Sequence, residues 1–303
     1  MTPALAPASP ADGALAHDPR AGRPAAGLRA TADVPSHVVR FDRKTRLLHG
    51  VVMTSFLGLS ATGLPLLFSD APWARALATI FFGFRAAGYV HRFFGAALLL
   101  GIVFHLADVA WRAFVRGERG LFWGPTSMVP QPRDFVDFFG MLKWFAGLGP
   151  QPKIDHFAYW EKFDYWAVLW GTGVMGAAGL ILWFPLTASR ILPGWMFNLA
   201  LFVHGAEAAL AIGFIFAVHF FNGHLRPGKF PMDLVIFTGR VTARELQHER
   251  AAEFERLRDT GGFAPLASDA PTEFSVRRGY VIGTIGLSLG LALFALILYA
   301  TIR

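Results

Sequence analysis

The sequence predicts an all-α integral membrane protein, a four-helix bundle with a fifth transmembrane helix at the C-terminal end. Three observations carry this expectation. The chain of 303 residues is 54% hydrophobic and only 16% charged, with a mean hydropathy of +0.42. A soluble domain is about 45–50% apolar and about 25% charged. The apolar excess lies in long runs: no charged residue occurs between Arg46 and Asp70, between Asp164 and Arg190, or between Arg278 and Arg303. Each gap exceeds the roughly twenty residues that cross the hydrocarbon core as a helix. Finally, the basic residues gather in alternate connections, as loops held on one side of a membrane do.

Taken in order, residues 1–36 are rich in Ala, Pro and Gly without apolar periodicity, a composition expected to be disordered. They hold no apolar core of a signal peptide, so insertion is expected through the first span. Residues 37–225 form the membrane core, with spans at about 47–69, 88–111, 164–186 and 198–222. Isolated charges interrupt two of them, Arg92 and Asp108 in the second and Glu207 in the fourth. Between spans two and three, "DFVDFFGMLKWFAGLG" (134–149) puts Phe135, Phe138, Phe139, Leu142 and Phe145 on a broad apolar face, the pattern of a helix lying in the membrane interface. "HFAYWEKFDYW" (156–166) then brings Tyr159, Trp160, Tyr165 and Trp166 to the start of span three, an aromatic belt in its plainest reading. Residues 226–278 are a polar loop, partly helical around "TARELQHERAAEFERLRD" and too short for a catalytic domain of usual size. Residues 279–303 form the fifth span.

Charge sets the orientation. The first segment carries Arg40, Arg43, Lys44 and Arg46, and the 2–3 and 4–5 connections are basic, whereas the 1–2 loop has only Arg75 and Arg85 and the 3–4 loop only Arg190. The expected arrangement is a multi-pass protein of the bacterial inner membrane, N-terminus cytoplasmic and C-terminus periplasmic. A net charge of +7 spread over separate loops argues against nucleic acid as a partner. The absence of cysteine excludes disulfides, cysteine-ligated iron–sulfur clusters and thioether-attached haem in this chain.

Ionisable groups are costly within a bilayer and mark function by default. Five of the ten histidines fall in or at the edge of spans: His49 in the first, His91 and His105 in the second, His204 and His219 in the fourth. His91 and His105 are fourteen residues apart, which on an α-helix is about 40° of face and a rise of ~21 Å. His204 and His219 are fifteen apart, about 60° and ~22 Å. Spans two and four run in the same direction, so His91 and His204 share an outer level. His105, His219 and His49 share an inner one. Two stacked levels with histidines from different helices suit two haems, because imidazole is a good iron ligand and ligation satisfies the buried ring nitrogens. Gly58, Gly63, Gly95, Gly101, Gly205 and Gly213 would let a flat macrocycle approach the backbone; close helix packing would use small residues in the same way.

"RKTRLLHGVVMTSFLGLSATGLPLLF", "HRFFGAALLLGIVFH", "EKFDYWAVLWG" and "HGAEAALAIGFIFAVHFFNGHLRPGKFPMD" resemble the gamma-subunit cytochrome b of membrane-bound formate dehydrogenases. The likeness is closest to their wider relatives, the quinone-linked cytochrome b subunits that pair with periplasmic redox proteins. It covers roughly residues 37–260 and follows several helices in order. It implies a four-helix bundle with two haem b groups and a quinone site beside the cytoplasmic haem. Carried over, the outer haem takes His91 and His204, and the inner haem takes His49 and His219. The sequence departs from that pattern in three ways. His105 is a third inner candidate, as alternative ligand or as a haem or quinone contact. The ligand spacing on span four is one residue long, which calls for a local bulge. The fifth helix has no counterpart and is expected to be peripheral or a partner contact.

Weaker candidates surround these. Asn222, His224, His156, Tyr159 and Asp155 could line a site for menaquinone or ubiquinone. His224 reads equally as a solvated loop residue beyond the span. Glu207, one turn from His204, could serve the haem surroundings, neutralise Arg85 or Arg92, or relay protons. Asp108 reads as a helix-end charge. The function expected is electron transfer between the quinone pool and a periplasmic partner, a multihaem cytochrome c or a molybdenum/iron–sulfur oxidoreductase, with substrate chemistry on that partner. The alternatives are a histidine-bearing proton-coupled or metal transporter, and a membrane anchor without haem. A transporter predicts inverted repeats and helices broken at the midplane; neither is evident in the sequence.

Overall fold

The computed structural model describes residues 34–302; most of the tail expected at 1–36 lies outside them. The helices in chain order are α1 Arg43–Leu67, α2 Pro72–Ile80, α3 Phe84–Ala110, α4 Pro132–Phe145, α5 Tyr159–Trp183, α6 Pro185–Ala188 and α7 Trp195–Phe214. They continue with α8 Val235–Thr238, α9 Ala243–Glu249, α10 Ala251–Thr260 and α11 Glu273–Ile302. Five are long and apolar enough to cross a membrane: α1, α3 with its extension to Val115, α5, α7 with its extension to Leu225, and α11. This is an all-α integral membrane fold. The expected spans are all present, each starting three to six residues earlier than its apolar run, because charged first turns such as Arg43–Arg46 are helical too.

Helices α1 and α3 pack along each other, as do α5 and α7, while the two hairpins touch each other less extensively. Large apolar side chains such as Phe93, Leu100, Val103, Trp170, Phe202 and Leu210 stay exposed, as lipid-facing surfaces do. The α2 helix lies across the end of the bundle where α1 turns into α3, with Trp73 and Leu77 against the main core cluster.

The fifth helix is not peripheral. Leu293 and Ile297 of α11 are fully buried with Ala61 and Leu64 of α1 and Ile212 and Phe216 from the fourth span, forming the principal apolar cluster. The reason is a seam of Gly279, Gly283, Gly286 and Gly290 along one face of α11, all buried. A Cβ at Gly290 would stand 2.7 Å from both Phe216 and Phe220. Only glycine lets those rings lie against the backbone.

The connection after the fourth span is a folded lobe rather than a polar loop. Three short strands form an antiparallel sheet in the order β2-β1-β3: β1 His37–Val39, β2 Arg240–Thr242 and β3 Ala267–Ser268. Val38 opposes Val241 and Ala267. Val38, Val241, Leu246, Phe254, Leu257 and Phe263 make a separate small core. The chain before α1 thus belongs to the lobe, pinned to a segment two hundred residues away.

The 2–3 connection contributes α4, whose Phe135, Phe139, Leu142 and Phe145 are exposed. That is the apolar face expected of an interfacial helix. Gln131 and Asp134 cap its first turn reciprocally. Lys162 at the start of α5 holds both Asp134 carboxylate oxygens at 2.9 Å, and Phe138 packs edge-on against Tyr159 at 5.5 Å.

Candidate functional site: two levels of histidine between the helix hairpins

At the end of the bundle away from the lobe, His91 of α3 and His204 of α7 face each other. Their ring centres are 6.2 Å apart and the planes 71° to one another. Two imidazoles on one first-row metal, with bonds of about 2 Å each, hold their ring centres about 6 Å apart. The protonation pattern fits as well. Thr62 Oγ1 donates to the Gly58 carbonyl at 2.6 Å and lies 3.1 Å from His91 Nδ1. With its proton committed, the hydroxyl accepts from Nδ1–H, leaving the Nε2 lone pair of His91 for a ligand.

Glycines seat both rings. A Cβ at Gly63 of α1 would stand 3.0 Å from His91 Cε1, and one at Gly179 of α5 would stand 3.2 Å from His204 Cε1. His204 Nδ1 is buried and makes no hydrogen bond; the Met175 carbonyl, one turn from Gly179, is its electrostatic neighbour. Gly58 by contrast serves packing, against Phe94, as do Gly205 against Leu67 and Gly101 against Val51. Gly213 meets only Phe294, at 3.8 Å, and Gly95 only Leu59, at 3.9 Å.

At the lobe end the fourth span widens. Residues Ile215–His219 and Phe221–Leu225 are π-helical, with the Phe220 amide bonded to the Ile215 carbonyl. A π-turn absorbs one extra residue. The fifteen-residue step from His204 to His219 therefore has the phase of about fourteen α-helical residues, roughly 40° apart on one face. This is the local bulge expected from the long His204–His219 spacing. His219 Nδ1 lies 3.1 Å from Asp164 Oδ2 of α5. A carboxylate accepts, so Nδ1 carries the proton and Nε2 presents its lone pair.

Three histidines gather at this level. His49 of α1 lies within electrostatic range of His219 and His224. His224 is helical rather than a loop residue, and its Nδ1 is buried with no hydrogen-bond partner. His105 stands apart: its Nε2, the nitrogen a ligand would use, is 2.9 Å from the Tyr165 hydroxyl, and its charged neighbours are Asp108 and Arg112. Asp108 itself pairs with Lys44 at 2.6 Å. At the outer level one histidine of the α1/α3 hairpin thus faces one of the fourth span, and at the inner level His49 lies within electrostatic range of two. Among the described residues no group of three His, Asp or Glu side chains converges as a metal-ion site.

The remaining candidates are dispersed. The Asn222 carbonyl accepts from Arg226 at 3.0 Å, and its side chain has no hydrogen bond. Tyr159, the first residue of α5, packs against Phe138 of α4 and beside Trp160. His156 and Asp155 belong to the lobe: Asp155 bonds Arg256 at 2.9 Å, and His156 Nδ1 meets Glu253 and, at 2.7 Å, Arg40. Glu207 reaches across to α5, its Oε1 3.4 Å from where a Gly171 Cβ would be. It forms no ion pair with Arg92, whose guanidinium lies over the Tyr89 and Trp183 rings at 5.8 Å each. Thr62, Asp164 and Gly179 complete the two levels without standing out in the sequence, and Tyr165, read there as part of an aromatic belt, is the partner of His105. Asp164 was visible as a carboxylate at a span edge, where it reads as an ordinary helix-start charge.

No protein-family model matches the chain, and no curated protein matches it in sequence.

Proposed function

We propose that the chain is a membrane di-haem cytochrome b subunit carrying electrons between the quinone pool and a redox partner across the membrane. The observation that carries this reading is the His91–His204 pair, set 6.2 Å apart from opposite helix hairpins and seated on Gly63 and Gly179. His91 and His204 would hold one haem b, and His49 and His219 the other. Bound haem supplies one-electron iron chemistry. The chain's own residues do the rest. Thr62 and Asp164 fix the tautomers of His91 and His219 so that each offers Nε2. The Asp164 charge makes the His219 imidazole a stronger donor. The apolar helices exclude water and hold the two levels in fixed separation.

Quinone reduction or quinol oxidation moves two protons with two electrons. At the lobe end, His224 and Asn222 have ring and amide groups uncommitted to the protein, suited to a quinone carbonyl and its proton. His156 and Tyr159 would act there only through their neighbours. The lobe lies on the cytoplasmic side of the bacterial inner membrane in this reading, by its excess of basic residues. The partner, a multihaem cytochrome c or a molybdenum/iron–sulfur oxidoreductase, meets the opposite face and supplies the substrate chemistry.

The test is a dithionite-reduced minus oxidised spectrum of the purified chain with a pyridine haemochrome count. The expected result is a b-type α-band and two haems per chain. A folded protein purified under haem-replete expression without haem overturns the reading.

A further inference from the structure

We infer that the starts of α1 and α11, together with β2, form a binding site for the headgroup of an anionic phospholipid. Arg46 of α1 has Arg43, Arg240 and Arg278 as its charged neighbours, all of one sign. None of the four forms an ion pair with a carboxylate of the described residues. Several basic residues of the lobe are neutralised within the chain instead. Arg40, Arg226, Lys229, Arg250 and Arg256 are each paired with a Glu or Asp. Like charges held together without a counterion repel, so the cluster calls for an anion from outside the chain.

The cluster is held in place by the fold. The Arg46 guanidinium donates to the Phe237 carbonyl. The Phe237 side chain in turn packs on α11, its Cβ 3.0 Å from the Cβ position of Gly279 and its ring 3.2 Å from that of Gly283. Phe237 thus joins the α1 arginine to the turn of α11 that carries Arg278. The Gly239 turn, at φ +80, brings Arg46 Nη1 within 3.3 Å of its Cβ position and leads straight into Arg240 of β2. Arg46 Nε is buried and has no hydrogen-bond partner. The Arg240 guanidinium is bonded only to the Ala270 carbonyl, at 2.9 Å.

Position identifies the anion. Arg43 and Arg46 stand in the first turn of one membrane-spanning helix and Arg278 in the second turn of another, where a helix leaves the aqueous side and lipid phosphates lie. Just beyond them along the helices, Leu47 and Val281 are exposed apolar residues, 72% and 52% accessible, placed to meet acyl chains. A basic pocket at the interface end of transmembrane helices suits an anionic headgroup. The inference does not depend on what the histidines bind.

The experiment measures thermal unfolding of the full chain in a neutral detergent with added phosphatidylglycerol, phosphatidylcholine or inorganic phosphate. Phosphatidylglycerol is expected to raise the unfolding midpoint, and the other two are not. In R46Q/R240Q/R278Q that rise is lost. In R43Q/R278Q, which changes only exposed side chains, the phosphatidylglycerol concentration giving half the effect rises by about 25-fold, from roughly fivefold per arginine. R258Q, at an arginine paired with its own neighbour Asp259, keeps the full response. Equal stabilisation by phosphatidylcholine, or an unchanged response in R43Q/R278Q, overturns the inference. Equal stabilisation by inorganic phosphate also overturns it, leaving a free-anion site.

Discussion

Asp164 Oδ2 on α5 lies 3.1 Å from His219 Nδ1 on the fourth span, so a carboxylate fixes the proton of the histidine on which the lobe-end level turns. An anionic partner of this kind orients a ligand and raises its basicity, and losing it costs about 10–100-fold in affinity for the bound group. Asp164→Asn preserves the shape and removes the charge. In the proposed di-haem reading, the expected outcome is retention of the outer haem, weaker retention of the inner one by that factor, and an upward shift of the inner midpoint potential. Potentiometric titration separates the two haems; identical potentials in the variant and the parent chain would show that Asp164 does not act through His219.

The other level has its own selective probes. His204→Ala should leave one haem per chain, the inner one, because the lobe-end histidines do not touch His204. Gly179→Val should act similarly by a different route. A Cβ already stands 3.2 Å from His204 Cε1, and two further methyls force the ring off its seat at a cost of about 1–3 kcal/mol. Gly173→Val is the control, since nothing lies within 4 Å of its Cβ position. Haem counts with the spectrum of the remaining haem decide; loss of both haems in His204→Ala would mean that the levels are not independent.

Much of this framework is legible in the sequence. The five spans follow from long apolar runs, three of them free of charge, and the two levels follow from spacing, since fourteen or fifteen residues on a helix fix both rise and phase. Even the π-turn was foreshadowed by one surplus residue between His204 and His219. What could not be read is everything that depends on residues distant in sequence. Asp164 meets His219 across 55 positions, and Arg40 meets Glu253 across 213. The strands of the lobe are only two or three residues long, too short to carry a period. The fifth helix misled for another reason. Its glycine seam is spread among Leu, Ile and Val, so its mean apolarity resembles a lipid-facing span, and only packing distinguishes the buried face.

That buried face yields a prediction at the inner level. Phe216 and Phe220 flank His219 along the fourth span, and both rings lie on Gly290, 2.7 Å from its Cβ position. Gly290→Val drives α11 away from the π-helical segment and disturbs the phase the π-turn provides. The expected result is a chain that still inserts but is destabilised by about 1–3 kcal/mol and is depleted in the inner haem ahead of the outer. Gly213→Ala, with Phe294 at an ordinary 3.8 Å, should be close to neutral. Equal loss of both haems in Gly290→Val would assign the seam to global stability alone.

The lobe should respond to acid through one buried cluster. Glu253 is 3% exposed and binds Arg40 at 2.8 Å and His156. Burial pushes its carboxyl up, but the His156 and Arg40 contacts outweigh this and hold it below the usual carboxylate range. Burial is also the main effect on His156, with Arg40 adding to it, and the ring is held below its ordinary value of 6.5 despite Glu253. Both groups therefore take up protons more readily in the unfolded chain than in the folded lobe. Stability is complete above about pH 6.5. It falls first as unfolded His156 protonates, then more steeply near pH 4–5 as unfolded Glu253 does, because stability declines wherever the unfolded state binds more protons. Glu253→Gln should remove the lower step and cost about 3–5 kcal/mol, since it leaves Arg40 buried without its counterion. His156→Asn should remove the upper step with a smaller loss. Hydrogen exchange of the Val38, Val241 and Leu246 amides against pH reads the lobe apart from the membrane helices. A profile flat from pH 7 to pH 4 in the parent chain would contradict the assignment.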